Sequence, residues 1–431
     1  MNYVADSSDI TESKSIPNNW ETACLADFAI EFISGGTPST KESDFWDGEI
    51  PWTTSAPISE QDVLLCKAQR FITQRGLKSS ASNIVPKGNL IVGTRVGVGK
   101  AVTNTIDMAI SQDLTGVVLN YEKVQPEYIS YYFKTQAVQQ FFNGRKRGTT
   151  IKGVSRSDLQ SLVINLPPLP EQRAIARALR AVQAAREARL REIALERERK
   201  AALMEHLFTH GTRGEPTKMT EIGEMPESWE VVKFGKVIIS SAFGPRFSSN
   251  YYDPDGSVAT LRTTDLDNEG NINYSTMPLA KLELDGFKQH LLKSNDFLIT
   301  RSGTCGIAAI FEAFEKPVLP GAFIIRFRLS NEINPLFLKY YVNSQQGRNR
   351  ILQLAGGAVQ KNLSGTSLRT FQIPLPLLVD QDAIVRSLIA CDSKIAALDH
   401  EAHLHDKLFR AMLEELMTGR LRVGALATPS S

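Results

Sequence analysis

Two long stretches of the chain, residues 170–209 and 378–418, carry apolar residues at the three- and four-residue spacing of an α-helix. The second stretch alternates steps of four and three throughout, which is typical of a coiled-coil seam. The seam positions are Ile384, Leu388, Cys391, Ile395, Leu398, Ala402, His405, Phe409, Met412 and Leu416. We therefore expect two helices of equal length that bury their apolar stripes on each other in antiparallel orientation.

The first stretch keeps the seam register only at its ends. In its middle the equivalent positions are Arg186, Arg189, Glu196 and Lys200. Two alternatives remain open there. Either the apolar seam shifts to residues 190 and 193, or this face of the first helix is exposed to solvent. A separate alternative is that each helix packs only on its own domain, although a helix of 40 residues, roughly 60 Å long, favours the paired arrangement.

The segments that precede the two helices have a different pattern. Short β-rich runs such as "NLIVGTRV" and "FIIRFRLS" are separated by Gly, Asn and Pro. Each segment also contains one helix-like stretch, "PEYISYYFKTQAVQQFFNG" in the first and "PLFLKYYVNSQQGRNRILQLAG" in the second. These patterns predict mixed α/β domains.

The two halves of the chain repeat each other. "LPPLPEQRAI" at 166–175 recurs as "LPLLVDQDAI" at 375–384, an offset of 209 residues. "IPNNW" at 16–20 recurs as "MPESW" at 225–229, and the matches keep their order along the chain. Internal duplication explains these matches, and it predicts a fold related by pseudo-twofold symmetry.

The repeat gives a domain plan with alternating globular and helical segments. The fold class we predict is α+β, with two mixed α/β domains separated by two long antiparallel helices that form a coiled coil. The segments are a flexible N-terminal tail (1–15), a first domain (16–166), a central long helix (167–210), a linker (211–224), a second domain (225–374), a distal long helix (375–418) and a C-terminal tail (419–431).

Composition limits the possible functions. The chain has 431 residues, a formal net charge of +2 and 42% hydrophobic residues, so nucleic-acid binding would depend on local basic patches. No apolar run reaches the length of a membrane span, and the polar N-terminus does not resemble a secretion signal. Four scattered cysteines are typical of a reduced protein, and we expect a cytoplasmic location.

Three motifs that suggest catalysis or metal binding are incomplete. "GTRVGVGKAV" has Thr94 where a phosphate-binding P-loop needs glycine, and Ala101 where it needs Ser or Thr. In "HEAHLH" the first two histidines, His400 and His403, are three apart rather than four. "YYDPDG" lacks the second proline and the aromatic residue of an adenine-methyltransferase tetrad. We expect no catalytic centre and no metal site.

Three segments together carry a family resemblance. "SGGTPSTKESDFWDGEIPWTTSAPIS" (34–59), "GTTIKGVSRSDLQSLVINLPPLPEQRAIARAL" (148–179) and "LPLLVDQDAIVRSLIACDSKIAALDHE" (375–401) resemble the specificity subunit of Type I restriction–modification enzymes. The second copy departs from the pattern, with "AFGPRFSS" in place of "GGTPSTKE".

This resemblance implies a non-catalytic subunit with two target recognition domains, each of which reads one half of a bipartite, asymmetric DNA site. The helices would set the spacer between the halves and dock two modification (methyltransferase) subunits. Two restriction (ATP-dependent translocase/nuclease) subunits would complete the complex. S-adenosylmethionine, ATP and Mg²⁺ would belong to the partner subunits, and this chain would hold no cofactor. The alternative is a DNA-specificity subunit of a stand-alone or fused methyltransferase/nuclease system of another type.

Proteins that recognise a DNA sequence need cationic side chains to contact phosphates and polar side chains to contact base edges. In the first domain the candidates are Thr53, Thr54, Ser55, Arg95, Lys100, Arg145, Lys146, Arg147, Thr149, Thr150 and Lys152. In the second domain they are Arg262, Thr263, Thr264, Asp265, Arg301, Thr304, Arg348, Arg350, Gln360, Lys361 and Asn362. We expect the tryptophans at 46, 52 and 229 to lie in the core rather than to stack on bases.

Overall fold

The computed structural model describes residues 16–148, 152–356 and 362–426. The predicted tail at 1–15 therefore lies outside the described residues, as do residues 427–431 of the C-terminal tail. The helices are α1 Leu25–Phe28, α2 Gln74–Lys78, α3 Pro126–Tyr132, α4 Gln136–Asn143, α5 Arg156–Gln160, α6 Leu169–His210, α7 Pro335–Asn343, α8 Gln345–Gln353, α9 Gly365–Thr370, α10 Leu378–Met417 and α11 Val423–Leu426.

The strands divide into those before and those after helix α6. Before it lie β1 Glu21–Cys24, β2 Ala29–Ser34, β3 Trp46–Thr53, β4 Leu64–Leu65, β5 Arg70–Ile72, β6 Asn83–Val85, β7 Leu90–Gly93, β8 Ala101–Asn104, β9 Met108–Ile110, β10 Leu114–Leu119 and β11 Val163–Leu166. After it lie β12 Thr217–Thr220, β13 Gly223–Pro226, β14 Glu230–Lys233, β15 Ile238–Phe243, β16 Val258–Leu261, β17 Leu279–Ala280, β18 Phe297–Thr300, β19 Ala308–Ile310, β20 Val318–Pro320, β21 Ile324–Leu329 and β22 Gln372–Leu375.

The described chain forms two compact units, and each contains one domain and half of each long helix. The first unit combines residues up to Arg189 with those from His400 onward, and the second comprises 190–399. This division cuts through α6 and α10, so it leaves the domain boundaries given above as a prediction.

Each unit is built on two sheets of similar strand order, and each sheet of the second unit has one strand fewer. In the first unit, a five-stranded sheet has the order β2-β10-β7-β8-β4, and a second sheet has the order β5-β3-β9-β6. In the second unit the corresponding sheets are β15-β21-β18-β19 and β17-β16-β20. Strands β1 and β11, like β14 and β22, pair antiparallel and join the start of each domain to its end.

Each domain has two short helices where the sequence predicted one, so that prediction was wrong. The break falls at Thr135 between α3 and α4 and at Ser344 between α7 and α8, both buried. Their hydroxyls donate to the carbonyls of residues 132 and 341 at 2.8 and 2.7 Å. Extended backbone at a capping Ser or Thr ends one helix and starts the next.

The long helices begin at the repeated glutamine. Gln172 in α6 is 1% exposed, and its amide donates to the carbonyls of Pro167 and Lys123 while its oxygen accepts from the Gln125 N–H. Gln381 in α10 is fully buried and makes the same three bonds, to the carbonyls of residues 376 and 332 and from the N–H of residue 334. One side chain thus ties the helix start to the preceding strand and to the domain.

The acidic residue before each glutamine binds an arginine that follows the end of the other long helix. In the first unit Arg422 donates to Glu171 at 2.6 and 2.9 Å, and the Trp20 indole donates to the same carboxylate at 3.2 Å. In the second unit Arg213 donates to Asp380 at 2.7 Å. Glycines with positive φ end the helices, Gly211 after α6 and Gly419 after α10. We call this arrangement of acid, glutamine and arginine the helix clasp.

The seam residues of α10 follow the predicted pattern, because none of the ten is exposed. In α6 the middle positions are charged and paired. Within the first unit Arg186 faces Asp406 at 3.5 Å and Arg189 faces Glu401 at 2.6 Å. Within the second, Glu196 binds Lys394 at 2.5 Å. As residue numbers rise along α6, the numbers of their partners on α10 fall: 186 pairs with 406 and 189 with 401 in the first unit, and 196 with 394 and 200 with 392 in the second. The helices therefore pack antiparallel within each unit.

Lys200 is buried and contacts two carboxylates. It is 8% exposed and lies 2.5 Å from Asp392 and 2.7 Å from Glu269. Burial acts to lower the pKa of Lys200, but the hydrogen bonds that its ammonium donates to the two carboxylates outweigh burial and raise the pKa. The apolar seam of α6 was expected either to shift to residues 190 and 193 or to be exposed to solvent. The shift is correct only for Ile193, which is 4% exposed, whereas Leu190 is 42% exposed.

The apolar cores explain why both helices belong to both units. In the first unit Ile175 and Leu179 of α6 and Leu416 of α10 join the core of the first domain. In the second, Phe208 of α6 and Leu388 of α10 join the core of the second domain. The helices pack on each other and on the domains within each unit. Across the described ranges, no helix is long and apolar enough to span a membrane.

We predict that Gln172→Leu lowers the free energy of unfolding by about 3 kcal/mol, because it leaves the Gln125 N–H and two carbonyls buried without partners. Urea denaturation of the purified chain measures this change. Gln140→Leu, at an exposed position of α4, is the control and should change stability by less than about 0.5 kcal/mol. Equal effects of the two variants would contradict the anchoring role.

Candidate nucleic-acid interface

Two loops of the first domain that carry predicted DNA contacts lie side by side. One is the β7–β8 loop, residues 94–100, and the other is the segment after α4, of which the structure describes residues 144–148 and 152–153. The N–H of Val154 donates to the Thr94 carbonyl at 2.8 Å, and Arg147 bridges to Gly153. A Cβ on Gly153 would lie 2.9 Å from the Thr94 oxygen, so glycine is needed for this close approach.

The basic side chains on these loops point outward. Arg95, Lys146 and Lys152 are exposed, and Lys146 makes only a local bond to Asn143 at 2.7 Å. Arg145 covers the Phe141 ring at 3.8 Å. The side chain of Arg147 is 80% exposed and lies 4.0 Å from Asp158. The predicted contacts Thr149 and Thr150 lie outside the described residues.

A cleft of about 780 Å³ opens beside these loops, inside the first unit. The domain contributes Arg95, Lys100, Lys134, Lys146 and Lys152, and the two long helices contribute Arg186 and Arg410. Two carboxylates, Glu60 and Asp406, also line the cleft. Seven cations against two anions produce a locally positive surface on a chain whose net charge is only +2.

Two lysines at the floor of the cleft hold the loop at residues 58–62. Lys100 donates to the Ile58 carbonyl at 2.7 Å, and Lys134 donates to the carbonyls of Glu60 and Asp62 at 2.7 and 2.6 Å. Burial lowers the pKa of Lys134 to about 8, with a smaller contribution from Lys100, against the raising effect of Asp62 and Glu60. Lys100 therefore supports the loop while it lines the cleft.

The candidates Thr53, Thr54 and Ser55 follow the end of β3. Thr53 is fully buried and Ser55 is 2% exposed. Thr54 binds Gln69 through its N–H and hydroxyl, at 3.1 and 2.7 Å. Only Thr54 has a partly accessible side chain, and the structure does not bring it to the two basic loops.

The second domain repeats the two-loop arrangement with different side chains. The N–H of Leu363 donates to the Arg301 carbonyl at 2.9 Å, and Gly356 bridges to Asn362. Arg301 donates to the Asn362 oxygen at 3.2 Å and lies 4.9 Å over the Phe243 ring. Thr304 is exposed in the same β18–β19 loop. The predicted contacts Gln360 and Lys361 lie outside the described residues.

Several candidates in the second domain have their polar groups bonded internally. Asp265 is 2% exposed and accepts from Arg262 at 2.8 and 3.1 Å. These hydrogen bonds raise the pKa of Arg262. Thr263 is half-buried, whereas Thr264 is exposed.

Two arginines of α8 contact backbone carbonyls. Arg348 donates to Gly306 at 3.1 Å and to Asn268 at 3.3 Å, and burial lowers its pKa. Arg350 donates to the Glu221 carbonyl at 2.7 Å. Both are half-buried.

The glycine that begins "GGTPS" keeps its role in the second copy. A Cβ on Gly35 would lie 2.0 Å from the Ser111 carbonyl oxygen, and a Cβ on Gly244 would lie 2.0 Å from that of Gly321. The loop at "AFGPRFSS" therefore approaches its neighbouring strand in the same way, despite its different sequence.

Sequence reasoning did not identify Lys134, Arg186 or Arg410 as part of this surface. Arg186 was visible only as a charge that interrupts the helical seam, and nothing in the repeat distinguishes Arg410 from other exposed helix residues. Within residues 16–148, 152–356 and 362–426, no group of three or more His, Cys, Asp or Glu residues is placed to hold a metal ion.

Comparison with known proteins relates the chain to DNA specificity subunits. It is 25% identical over 422 residues to the Type I restriction enzyme MjaVIII specificity subunit of Methanocaldococcus jannaschii, with 95% of this chain and 94% of the relative covered. It is 26% identical over 444 residues to the putative type I restriction enzyme MjaX specificity subunit of the same organism, with 98% of each covered. The EcoBI specificity subunit of Escherichia coli is 24% identical over 330 residues, with 71% of this chain and 68% of the relative covered.

Solved structures share the fold. The Type-I restriction-modification system S subunit from M. genitalium superposes with a TM-score of 0.56 at 16% identity, covering 95% of this chain and 98% of that one. A chain from a structure that describes complex assembly and conformational transition of the type I R-M system superposes with a TM-score of 0.61 at 16% identity. The match covers 94% of this chain and 100% of that one. The sequence model of the Type I restriction modification DNA specificity domain matches residues 17–196 and 226–402, so this chain, with two copies of that domain, belongs to that family.

Proposed function

We propose that this chain is the non-catalytic DNA-recognition subunit of a Type I restriction–modification complex, and that each domain reads one half of a bipartite site. The observation that carries this proposal is the repeated two-loop surface. In both domains the β-hairpin loop and the segment after the second short helix are joined by one backbone hydrogen bond, Val154 to Thr94 and Leu363 to Arg301. Family membership supports the same role.

The two surfaces differ in the side chains that they present, and we propose that the two half-sites differ accordingly. The first domain offers several exposed cations, whereas the second offers Arg301, Thr304 and Asn362. Arginine suits guanine edges and asparagine suits adenine edges in the major groove. An asymmetric target follows, because two unlike surfaces do not select a palindrome.

The long helices serve as a spacer and as a docking scaffold in this proposal. Helix α6 runs without interruption through 42 residues, about 63 Å at the helical rise. We propose that two methyltransferase subunits and two restriction subunits assemble on the chain in the cytoplasm. S-adenosylmethionine, ATP and Mg²⁺ belong to those partners, and the chemistry of methyl transfer and cleavage takes place there.

We predict that replacing residues 30–160 by the corresponding segment of a relative changes one half of the methylated site and leaves the other half intact. Each surface reads its own half because its contacts lie within one domain. Sequencing of methylated adenines in a host that expresses the complex measures the motif. The reciprocal exchange in the second domain is the control, and an unchanged site after both exchanges would refute the proposal.

We predict that the helices determine the spacer length. Seven residues inserted after Ala184 and seven after Lys407, in helix regions where Arg186 faces Asp406, keep the packed faces in register and lengthen both helices by about 10.5 Å. The spacer should widen by about three base pairs at 3.4 Å per base pair, less any loss from tilt. Insertion into α6 alone is the control and should abolish methylation, and an unchanged spacer in the double insertion would contradict the prediction.

We predict that the isolated chain does not bind S-adenosylmethionine, whereas the complex with its methyltransferase subunits does. Isothermal titration calorimetry with the chain, the methyltransferase subunit and the assembled complex distinguishes the two outcomes. Binding of the cofactor by the isolated chain would favour a fused methyltransferase over a recognition subunit.

A further inference from the structure

The positive cleft of the first unit extends past the recognition loops to the long helices. Its lining includes Arg95, Lys146 and Lys152, which belong to those loops. Arg186 of α6 and Arg410 of α10 line it as well. A charged surface thus connects a recognition loop with the long helices.

The two helix arginines share one carboxylate. Arg186 and Arg410 both pair with Asp406, at 3.5 and 2.5 Å. Arg186 also donates to the Gln61 oxygen at 2.7 Å, and its side chain is 25% exposed. The side chain of Arg410 is 76% exposed, so a guanidinium with only part of one carboxylate as its partner faces solvent at the rim of the cleft.

The repeat supplies an internal comparison. The residues at the offset of 209 from Arg410 and Asp406 are Ala201 and Arg197, and both line a smaller cleft of about 180 Å³ in the second unit. Arg348 occupies the position of Gln139 and donates to the carbonyls of Gly306 and Asn268. Lys200 there is held by two carboxylates. Among the described residues of the second copy, Ala201 takes the place of Arg410, so the exposed arginine on this helix belongs to one copy and is not a requirement of the fold.

We propose that this cleft binds phosphodiester groups of the DNA spacer next to the half-site read by the first domain, with Arg410 as a phosphate ligand and Arg186 and Asp406 as the residues that position it. This proposal rests on the proposed function. A duplex held by the recognition loops and continuing along the helix side passes the Arg410 rim, and phosphates there carry no sequence information. The contact is sequence-independent, and only one end of the spacer has it.

The test uses the assembled methyltransferase complex and a duplex that contains the methylated site. Arg410→Gln should reduce the slope of log affinity against log salt by about 0.9, the value for one lost phosphate contact on B-DNA. Arg410→Lys should restore most of that slope because the charge returns. Lys78→Gln, on the exposed face of α2, is the charge-matched control and should leave the slope unchanged.

A second measurement locates the phosphate. Neutral methylphosphonate linkages placed one at a time through the spacer should weaken binding of the native complex at one end only. With Arg410→Gln the same linkage should cause no further loss, because the contact is already absent. Additive effects of the linkage and the substitution, or equal sensitivity at both ends of the spacer, would overturn the proposal.

The outcomes distinguish this inference from the function on which it rests. If the complex does not prefer its methylated site over other DNA, the proposed function fails. If it keeps that preference but Arg410→Gln behaves as Lys78→Gln does, only the spacer contact is refuted. Competition by inorganic triphosphate that is abolished in Arg410→Gln, with no methylphosphonate effect, would assign the cleft to a small anion and reject the DNA contact.

Discussion

The structure depends on a single repeated constraint, the buried glutamine at the start of each long helix. Gln172 and Gln381 each satisfy two backbone carbonyls and one N–H that have no other partner in their strand or helix. A buried amide with three good bonds fixes the direction in which the helix leaves its domain, since any rotation would leave polar groups unpaired. The acid beside each glutamine then binds the arginine after the other helix, so the start of one helix and the end of the other meet at the same place in each unit. The repeated ten-residue segment therefore makes the same contacts in both copies.

Charged residues in the middle of the helices add selectivity to this arrangement. Glu196 and Lys200 are 6% and 8% exposed, and each is paired with a residue of opposite charge on α10. Buried ion pairs add little net stability, but a displaced register would leave their charges unpaired at a cost of several kcal/mol. Apolar residues at the helix ends supply the burial, and the charged middle favours one alignment of the two helices over its neighbours.

Much of the architecture could be predicted from the sequence because it depends on periodicity and repetition. Helices α6 and α10 begin and end within one residue of the periodic stretches 170–209 and 378–418, and the burial of Trp46, Trp52 and Trp229 agrees with the prediction. The break at Thr135 and Ser344 was missed because local helix propensity is high on both sides of it. Prediction of the DNA-contacting residues was less complete, because the charge and polarity of a residue do not reveal whether it is buried. Thr53 and Asp265 have side chains suited to DNA contacts, but both lie inside the protein. Arg410 shows the opposite case, because only tertiary structure places it in the lining of the same cleft as Arg95.

The order in which the units can be completed follows from their composition. The second unit is a continuous stretch of chain, 190–399, whereas the first needs residues from His400 onward. Leu413, Leu416 and Met417 fill the core of the first domain, and Arg422 closes its clasp. During synthesis the first domain therefore leaves the ribosome with part of its core uncovered and waits for more than 200 further residues before it can be finished. The domain that is made second is the first that can mature, and its partner is exposed to chaperones and proteases throughout that interval.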